Sequence, residues 1–187
     1  TEGRMEFITW ADDTDGSTGK GTARSWLEAA LGSYNGGQQR GYTCVITQPA
    51  LAFHAKRGEA PRERLSNLEG CIFAFCDDFK VNAKAPLDNA MLRQISGKNK
   101  MTAARKVKGE RIFVFQGHLI LMCNGLWVPG DAFVGADVRR LTGIRFSRKF
   151  KNNPQGPNEE QKDASIKVDL RNPPALAEFW FLARVFW

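Results

Sequence analysis

The sequence predicts a three-layer α/β fold built around a mostly parallel central sheet. Three observations carry this. Between Met5 and Leu31 a short apolar segment runs into a Gly-rich turn and then into a helical pattern. Cys71–Phe75 is continuously apolar, as suits a strand covered on both faces of a parallel sheet. Strand-like and helix-like segments then alternate, the order that layered α/β folds require.

The elements follow in order. Met5–Trp10 has strand propensity, and a turn rich in Gly, Asp and Thr follows it. Ala23, Trp26, Leu27, Ala30 and Leu31 then recur at helical spacing, and Gly32 with Asn35-Gly36-Gly37 stops the helix. Tyr42–Ile46 reads as a second strand, and Ala50–Arg64 as a basic helix broken near Pro61. Asp77-Asp78 is expected just beyond the Cys71–Phe75 strand. Leu87, Met91, Leu92 and Ile95 form a helical stripe, and Gly97–Gly109 is polar and basic. Arg111–Phe115 and Leu119–Cys123 read as strands separated by Gln116-Gly117-His118. Asn152–Asp163 reads as a polar linker, and Pro174–Trp187 as an aromatic-rich helix that packs on its own core or on a neighbour. The expected organisation is a core over 1–151, then a linker and C-terminal helix over 152–187.

The chain has 187 residues, enough for one sizeable core, and 42% of them are hydrophobic, which excludes a disordered tail. No apolar run reaches the roughly 20 residues of a membrane helix, so no membrane partner is expected. The N-terminus carries no signal-peptide pattern and no initiator Met, so the chain is expected to be a piece of something longer. A formal charge of +7 favours a polyanionic partner, nucleic acid first, over a merely basic surface. Cys44, Cys71, Cys76 and Cys123 lie in or beside apolar stretches without zinc-ligand spacing. They read as reduced core thiols of an intracellular, reducing compartment. His54 and His118 are too few and scattered for a histidine-based site and read as structural.

The chemistry concentrates in five places. In Asp15-Gly-Ser-Thr-Gly-Lys-Gly-Thr22 the side-chain-free Gly16, Gly19 and Gly21 allow close approach to phosphate. Backbone N–H groups of Ser17 and Thr18 and the following helix N-terminus would face the anion, and Lys20 would reach the β- and γ-phosphates of ATP. The pattern departs from G-x-x-x-x-G-K-[ST] in having Thr14 at the first Gly and Gly21 at the hydroxyl position. Thr22, one residue later, is then the hydroxyl expected on Mg²⁺. A plain Gly-rich turn is the alternative.

Asp77 would hold Mg²⁺ and Asp78 would orient the attacking water, because acids at a strand's carboxyl end face the ligand crevice of α/β sheets. A surface Asp-Asp turn is the alternative. Asn124, ending an apolar strand, would sit between the acids and the γ-phosphate, unless it merely ends the strand. Arg139 and Arg140 are either a solvated pair or a donor to a neighbouring subunit's ATP. Lys98, Lys100, Arg105, Lys106 and Lys108 precede a β-type pair and would track a phosphate backbone, or form a solvated basic loop.

Taken in order, these features resemble the superfamily 3 helicases, and more closely the helicase domain of poxvirus-type and phage-type primase-helicases. The resemblance runs from about Met5 to Phe150. It covers the Gly19–Gly32 loop and helix, the strand ending at Asp77-Asp78 and the Leu87–Gly97 helix closing on Ser-Gly. It continues through the Met101–Lys108 lead into a hairpin, the Phe115–Asn124 strand, and Arg139-Arg140 before Ile144-Arg-Phe146. Asn99 stands where the family often has Asp. The resemblance implies an AAA+-like P-loop NTPase with a basic β-hairpin insertion. It implies ATP and Mg²⁺ as cofactors, a homo-hexamer, single-stranded DNA as partner and a primase domain elsewhere in the full-length protein. Its activity would be ATP-driven translocation in viral or mobile-element DNA replication. A P-loop nucleotide or small-molecule kinase and a degenerate, non-hydrolysing DNA-binding ring module are the rival expectations.

Overall fold

The computed structural model describes residues 8–13, 16–33, 41–51, 65–79, 87–105, 109–124 and 135–166, with the backbone alone at 78, 104, 105, 109 and 136. Five strands form the central sheet in the order β2-β3-β6-β1-β7. They are β1 (Ile8–Asp13), β2 (Thr43–Ile46), β3 (Phe73–Phe79), β6 (His118–Asn124) and β7 (Leu141–Arg145). Every neighbouring pair is parallel, so all five carboxyl ends lie along one edge. The strand bearing the acids, β3, is separated from β1 by β6, which places Asn124 opposite Asp13 in register.

Strand residues alternate between faces, and the two cores follow that alternation. On one face Ala11, Phe75 and Met122 pack with Leu27 of α1 (Lys20–Leu31) and with Phe146. On the other, Ile8, Leu119, Leu121 and Cys123 pack with Leu92 and Ile95 of α3 (Asn89–Ser96). Sheet between helices is the predicted three-layer arrangement. Phe75 and Phe115 are fully buried; each such side chain stabilises the fold by about 1.5–3 kcal/mol relative to exposure.

The turn from Phe115 into β6 crosses the start of β3 so closely that a Cβ on Gly117 would lie 2.5 Å from the Cys71 carbonyl oxygen. His118 N–H donates to the Ile72 carbonyl there, at 2.7 Å.

β4 (Lys100–Arg105) and β5 (Gly109–Val114) form a separate antiparallel hairpin. The Gly97–Gly109 segment, polar by composition, therefore contains a strand that buries Met101 and Ala103 in the main core. On β5 Phe113 faces the core while Ile112 is exposed. Arg111–Phe115 and Leu119–Cys123 are strands, as expected, but they belong to different sheets.

Three readings need correction or fall outside view. Asp77 and Asp78 lie within β3 rather than beyond it, because pairing with β6 carries the strand to Phe79 across a register irregularity after Cys76. Asn152–Asp163 is not a free linker. It contains a short strand, β9 (Glu159–Gln161), which pairs in parallel with β8 (Lys149–Lys151) just before the segment. This ribbon folds back onto the Gly-rich loop, Phe150 N–H donating to the Ser17 carbonyl at 2.9 Å. In the Ala50–Arg64 segment α2 covers Gln48–Leu51, and residues 52–64, with His54, lie outside the described residues, as does the expected helix over 174–187.

Candidate functional site

A cleft of about 290 Å³ opens at the carboxyl ends of β1, β3 and β6, against the first turn of α1. Gly16, Ser17, Thr18, Lys20 and Gly21 line it from the loop, and Asp77 and Asn124 line it from β3 and β6. The loop is wound tightly: Gly16, Ser17 and Gly19 all have positive φ, at 77°, 58° and 87°. For Ser17 that conformation carries strain of about 1–3 kcal/mol. α1 begins without a side-chain cap and without an acid in its first turn. α3 provides the contrast, since Asp88 caps it by accepting from the N–H groups of Ala90 and Met91 at 2.9 and 3.2 Å. The uncapped first turn of α1 leaves backbone donors at the cleft, where an anion is stabilised.

Lys20 is buried and bound on three sides. Its Nζ lies 2.7 Å from Asp13 Oδ1, donates to Asn124 Oδ1 at 2.9 Å, and donates to the Cys123 carbonyl. Thr18 Oγ1 donates to the other Asp13 oxygen at 2.5 Å. Burial pushes the Asp13 carboxyl up, but the bonds from Lys20, Thr18 and the Gly16 N–H outweigh it and hold it below the usual carboxylate range. Asp13 is therefore ionised at neutral pH.

Asp77 faces the same cleft, where Arg24 of α1 forms an ion pair with it. Arg24 also reaches Glu28 at 2.8 Å, and its guanidinium lies 5.8 Å from the centre of the Phe75 ring. Asp78 is described by its backbone in β3. Thr22 does not share the cleft with Asp77. It lines an adjoining hollow with Ser17 and Phe150, while Gly21 occupies the cleft position after Lys20. The two expected metal ligands thus line adjoining hollows that share Ser17.

Arg139 and Arg140 follow α4 (Gly135–Val138) at the start of β7. The Arg140 carbonyl accepts from Ile8 N–H at 2.7 Å, at the amino end of β1. A six-residue strand separates that point from Asp13, a rise of about 16 Å, so the pair is at the opposite end of the sheet from its own cleft. Of the basic residues, Lys98 donates to the Gln116 carbonyl at 3.3 Å and Lys100 is exposed on β4. Arg105 is described by its backbone, and Lys106 and Lys108 lie outside the described residues.

All four cysteines are free and buried. Burial pushes the Cys76 thiol up to about 12. His118 Nε2 lies 2.6 Å from Thr9 Oγ1, and its pKa is lowered by burial and by the Lys98 charge. Among the described residues no helix is long and apolar enough to cross a membrane. No cluster of three or more His, Cys, Asp or Glu residues is placed to hold a metal among them.

Sequence reasoning missed Asp13 and Arg24. Asp13 could have been found from the two acids that end the β1 segment just before the loop. Arg24 could have been found as the residue one helical turn beyond Lys20, on the same face of α1.

Sheet order, loop and cleft define an α/β, P-loop NTPase-like domain. No family model matches the chain, and no curated protein sequence does. Among solved structures, the chain is similar to the NrS-1 C-terminal region in its A-form apo state. One such structure has 16% identity and a TM-score of 0.57, covering 92% of this chain and 35% of that one. A second has 14% identity and a TM-score of 0.54, covering 92% and 34%. This chain therefore spans about a third of the NrS-1 region's length. A JCV helicase bound to a small molecule has 15% identity and a TM-score of 0.49, covering 95% and 42%, a weaker likeness. At these identities the likeness to NrS-1 is one of fold.

Proposed function

We propose that the chain is the ATPase domain of a DNA helicase that hydrolyses ATP to move along single-stranded DNA in viral or mobile-element replication. The observation that carries the reading is Lys20, held at the uncapped start of α1 between Asp13 of β1 and Asn124 of β6, with Asp77 across the cleft. In this reading the loop from Gly16 to Gly21 and Lys20 bind the phosphates, and Asn124 reads the terminal one. Asp78 polarises the attacking water. Thr22 lines the hollow beside the cleft, one residue beyond Gly21, and its hydroxyl is the further ligand proposed for the metal.

Mg²⁺ fits the cleft through one carboxylate, since the ion commonly uses one or two carboxylates plus substrate phosphates, and Asp77 lines the cleft. When bound it would neutralise charge on the β- and γ-phosphates. Asp77 must first part from Arg24, which leaves that guanidinium free to meet phosphate.

Arg139 or Arg140 serves a neighbouring subunit's ATP in a homo-hexamer. Their place at the amino end of β1, remote from their own cleft, supports a role in trans. Lys98, Lys100, Arg105, Lys106 and Lys108, on or beside the β4–β5 hairpin, are the DNA-facing residues, and a primase domain belongs to the same full-length protein. ATP turnover with and without single-stranded DNA tests the reading; a kinase would transfer phosphate without DNA stimulation.

A second reading has one observation in its favour. The Asp77–Arg24 ion pair suits a ring module that binds DNA and nucleotide without hydrolysis. Binding of ATP without any turnover, with or without DNA, would select it.

A further inference from the structure

Next to the phosphate cleft lies a second hollow, of about 430 Å³, between the first turn of α1 and the β8–β9 ribbon. Ser17 lines both, so the two spaces adjoin at one residue of the loop. The remaining walls include Thr22, Phe150, Lys162, Asp163 and Ile166. The size falls within the roughly 300–1,000 Å³ of small-molecule sites, which combine apolar walls with a few placed polar groups.

The ribbon is fixed to the loop. Phe150 N–H donates to the Ser17 carbonyl at 2.9 Å, and the Phe150 ring packs so near Gly19 that a Cβ there would lie 3.3 Å from it. The ribbon is also braced internally. The Glu159 carboxylate accepts from the N–H groups of Gln155 and Gly156 at 2.8 and 3.2 Å and pairs with Lys151. Those bonds hold Glu159 down to about 2. Lys162 N–H donates to the Lys151 carbonyl at 2.8 Å, which sets the chain entering Asp163.

Two groups give the hollow its chemistry. Phe150 is 39% exposed, a large apolar residue beside the Gly-rich loop. The Asp163 carboxylate accepts from the Ser165 N–H and hydroxyl at 2.8 and 2.6 Å, which keeps it ionised. An aromatic face and an ionised acceptor suit a flat ring carrying hydrogen-bond donors.

We propose that this hollow is the nucleoside subsite of the same nucleotide site, with the base against Phe150 and Asp163 accepting hydrogen bonds from the nucleoside's donors. It rests on the reading of the Lys20 cleft as the phosphate site. The ribbon, which by composition is a linker, thereby makes the site select nucleotides over bare polyphosphate.

The test is equilibrium binding of ATP and of inorganic tripolyphosphate, each with Mg²⁺, to the chain and to Phe150→Ala and Phe150→Trp. Base–aromatic stacking predicts that the chain binds ATP at least about tenfold tighter than tripolyphosphate. Phe150→Ala should lose that advantage while keeping its tripolyphosphate affinity, and Phe150→Trp should restore it. Equal affinity of the unaltered chain for the two ligands would overturn the subsite and leave the phosphate cleft standing. An equal loss of both ligands in Phe150→Ala, unrestored in Phe150→Trp, would also overturn it, because Phe150 would then only brace the loop. Binding of neither ligand to the unaltered chain would remove the phosphate-site reading and the subsite with it.

Discussion

Lys20 Nζ lies 2.7 Å from Asp13 Oδ1, and both side chains are buried at the mouth of the Gly-rich loop. The Thr18 hydroxyl converges on the same carboxylate. Donors that would meet a phosphate are thus gathered around an anion that the chain itself supplies. The bound phosphate would have to share Lys20 with Asp13.

Asp13→Asn should therefore have two opposed effects. The ligand-free protein should melt lower, because a buried lysine loses its counter-charge. Tripolyphosphate should bind about tenfold tighter, since a charge-assisted hydrogen bond of about 1.5–3 kcal/mol no longer competes for Lys20. Calorimetric titration beside thermal melts measures both; weaker anion binding in the variant would refute the competition. The sign with pH follows from the lowered Asp13 pKa. Its contribution to stability is complete above its ordinary value of 3.8 and is lost as pH falls through the lower folded value.

Asp77→Asn should leave ATP affinity within a few-fold while lowering turnover about 10²–10³-fold, the scale on which removing one group aimed at transition-state charge acts. Steady-state kinetics beside equilibrium binding separates the two. A large loss of ATP affinity with unchanged turnover would place Asp77 outside the chemistry.

His118 gives a pH signature remote from the acids. Its folded pKa lies below the ordinary 6.5, because it is buried and faces the Lys98 charge. The neutral ring is the native form, so stability is complete above about 6.5 and declines as pH falls through the folded value. Melting temperatures between pH 7.5 and 5.5 should fall, and His118→Asn should flatten that slope. An unchanged slope would assign the acid sensitivity elsewhere.

Lys100, exposed on β4, should act on DNA by charge alone. Lys100→Ala should weaken single-stranded DNA of any sequence and reduce the slope of log affinity against log salt by about 0.7, one phosphate contact. Fluorescence anisotropy across a salt series reads this; an unchanged slope would take Lys100 off the DNA path.

The sequence showed most clearly what depends on local pattern. The β1–loop–α1 unit was legible because apolar run, glycines and helical spacing are all local. The parallel sheet was legible through the uninterrupted Cys71–Phe75 run. The end of β3 was not, since acids look like a stop signal, and only pairing with β6 carries the strand to Phe79. The β8–β9 ribbon was invisible for a similar reason. It is held by the Glu159 bonds and by docking on Ser17, neither of which leaves an apolar period. Thr22 was expected on Mg²⁺ as the hydroxyl one residue late, and in the structure it lines the hollow on the ribbon side of the loop. The Arg24–Asp77 pair joins residues 53 positions apart, which no spacing rule connects.

The most direct test of the account is ATP turnover by this chain with Mg²⁺, with and without single-stranded DNA, beside Lys20→Ala shown to be folded by circular dichroism. The account predicts turnover that rises with DNA in the unaltered chain and is abolished in the variant. Undiminished turnover in Lys20→Ala, or turnover indifferent to DNA, would contradict it.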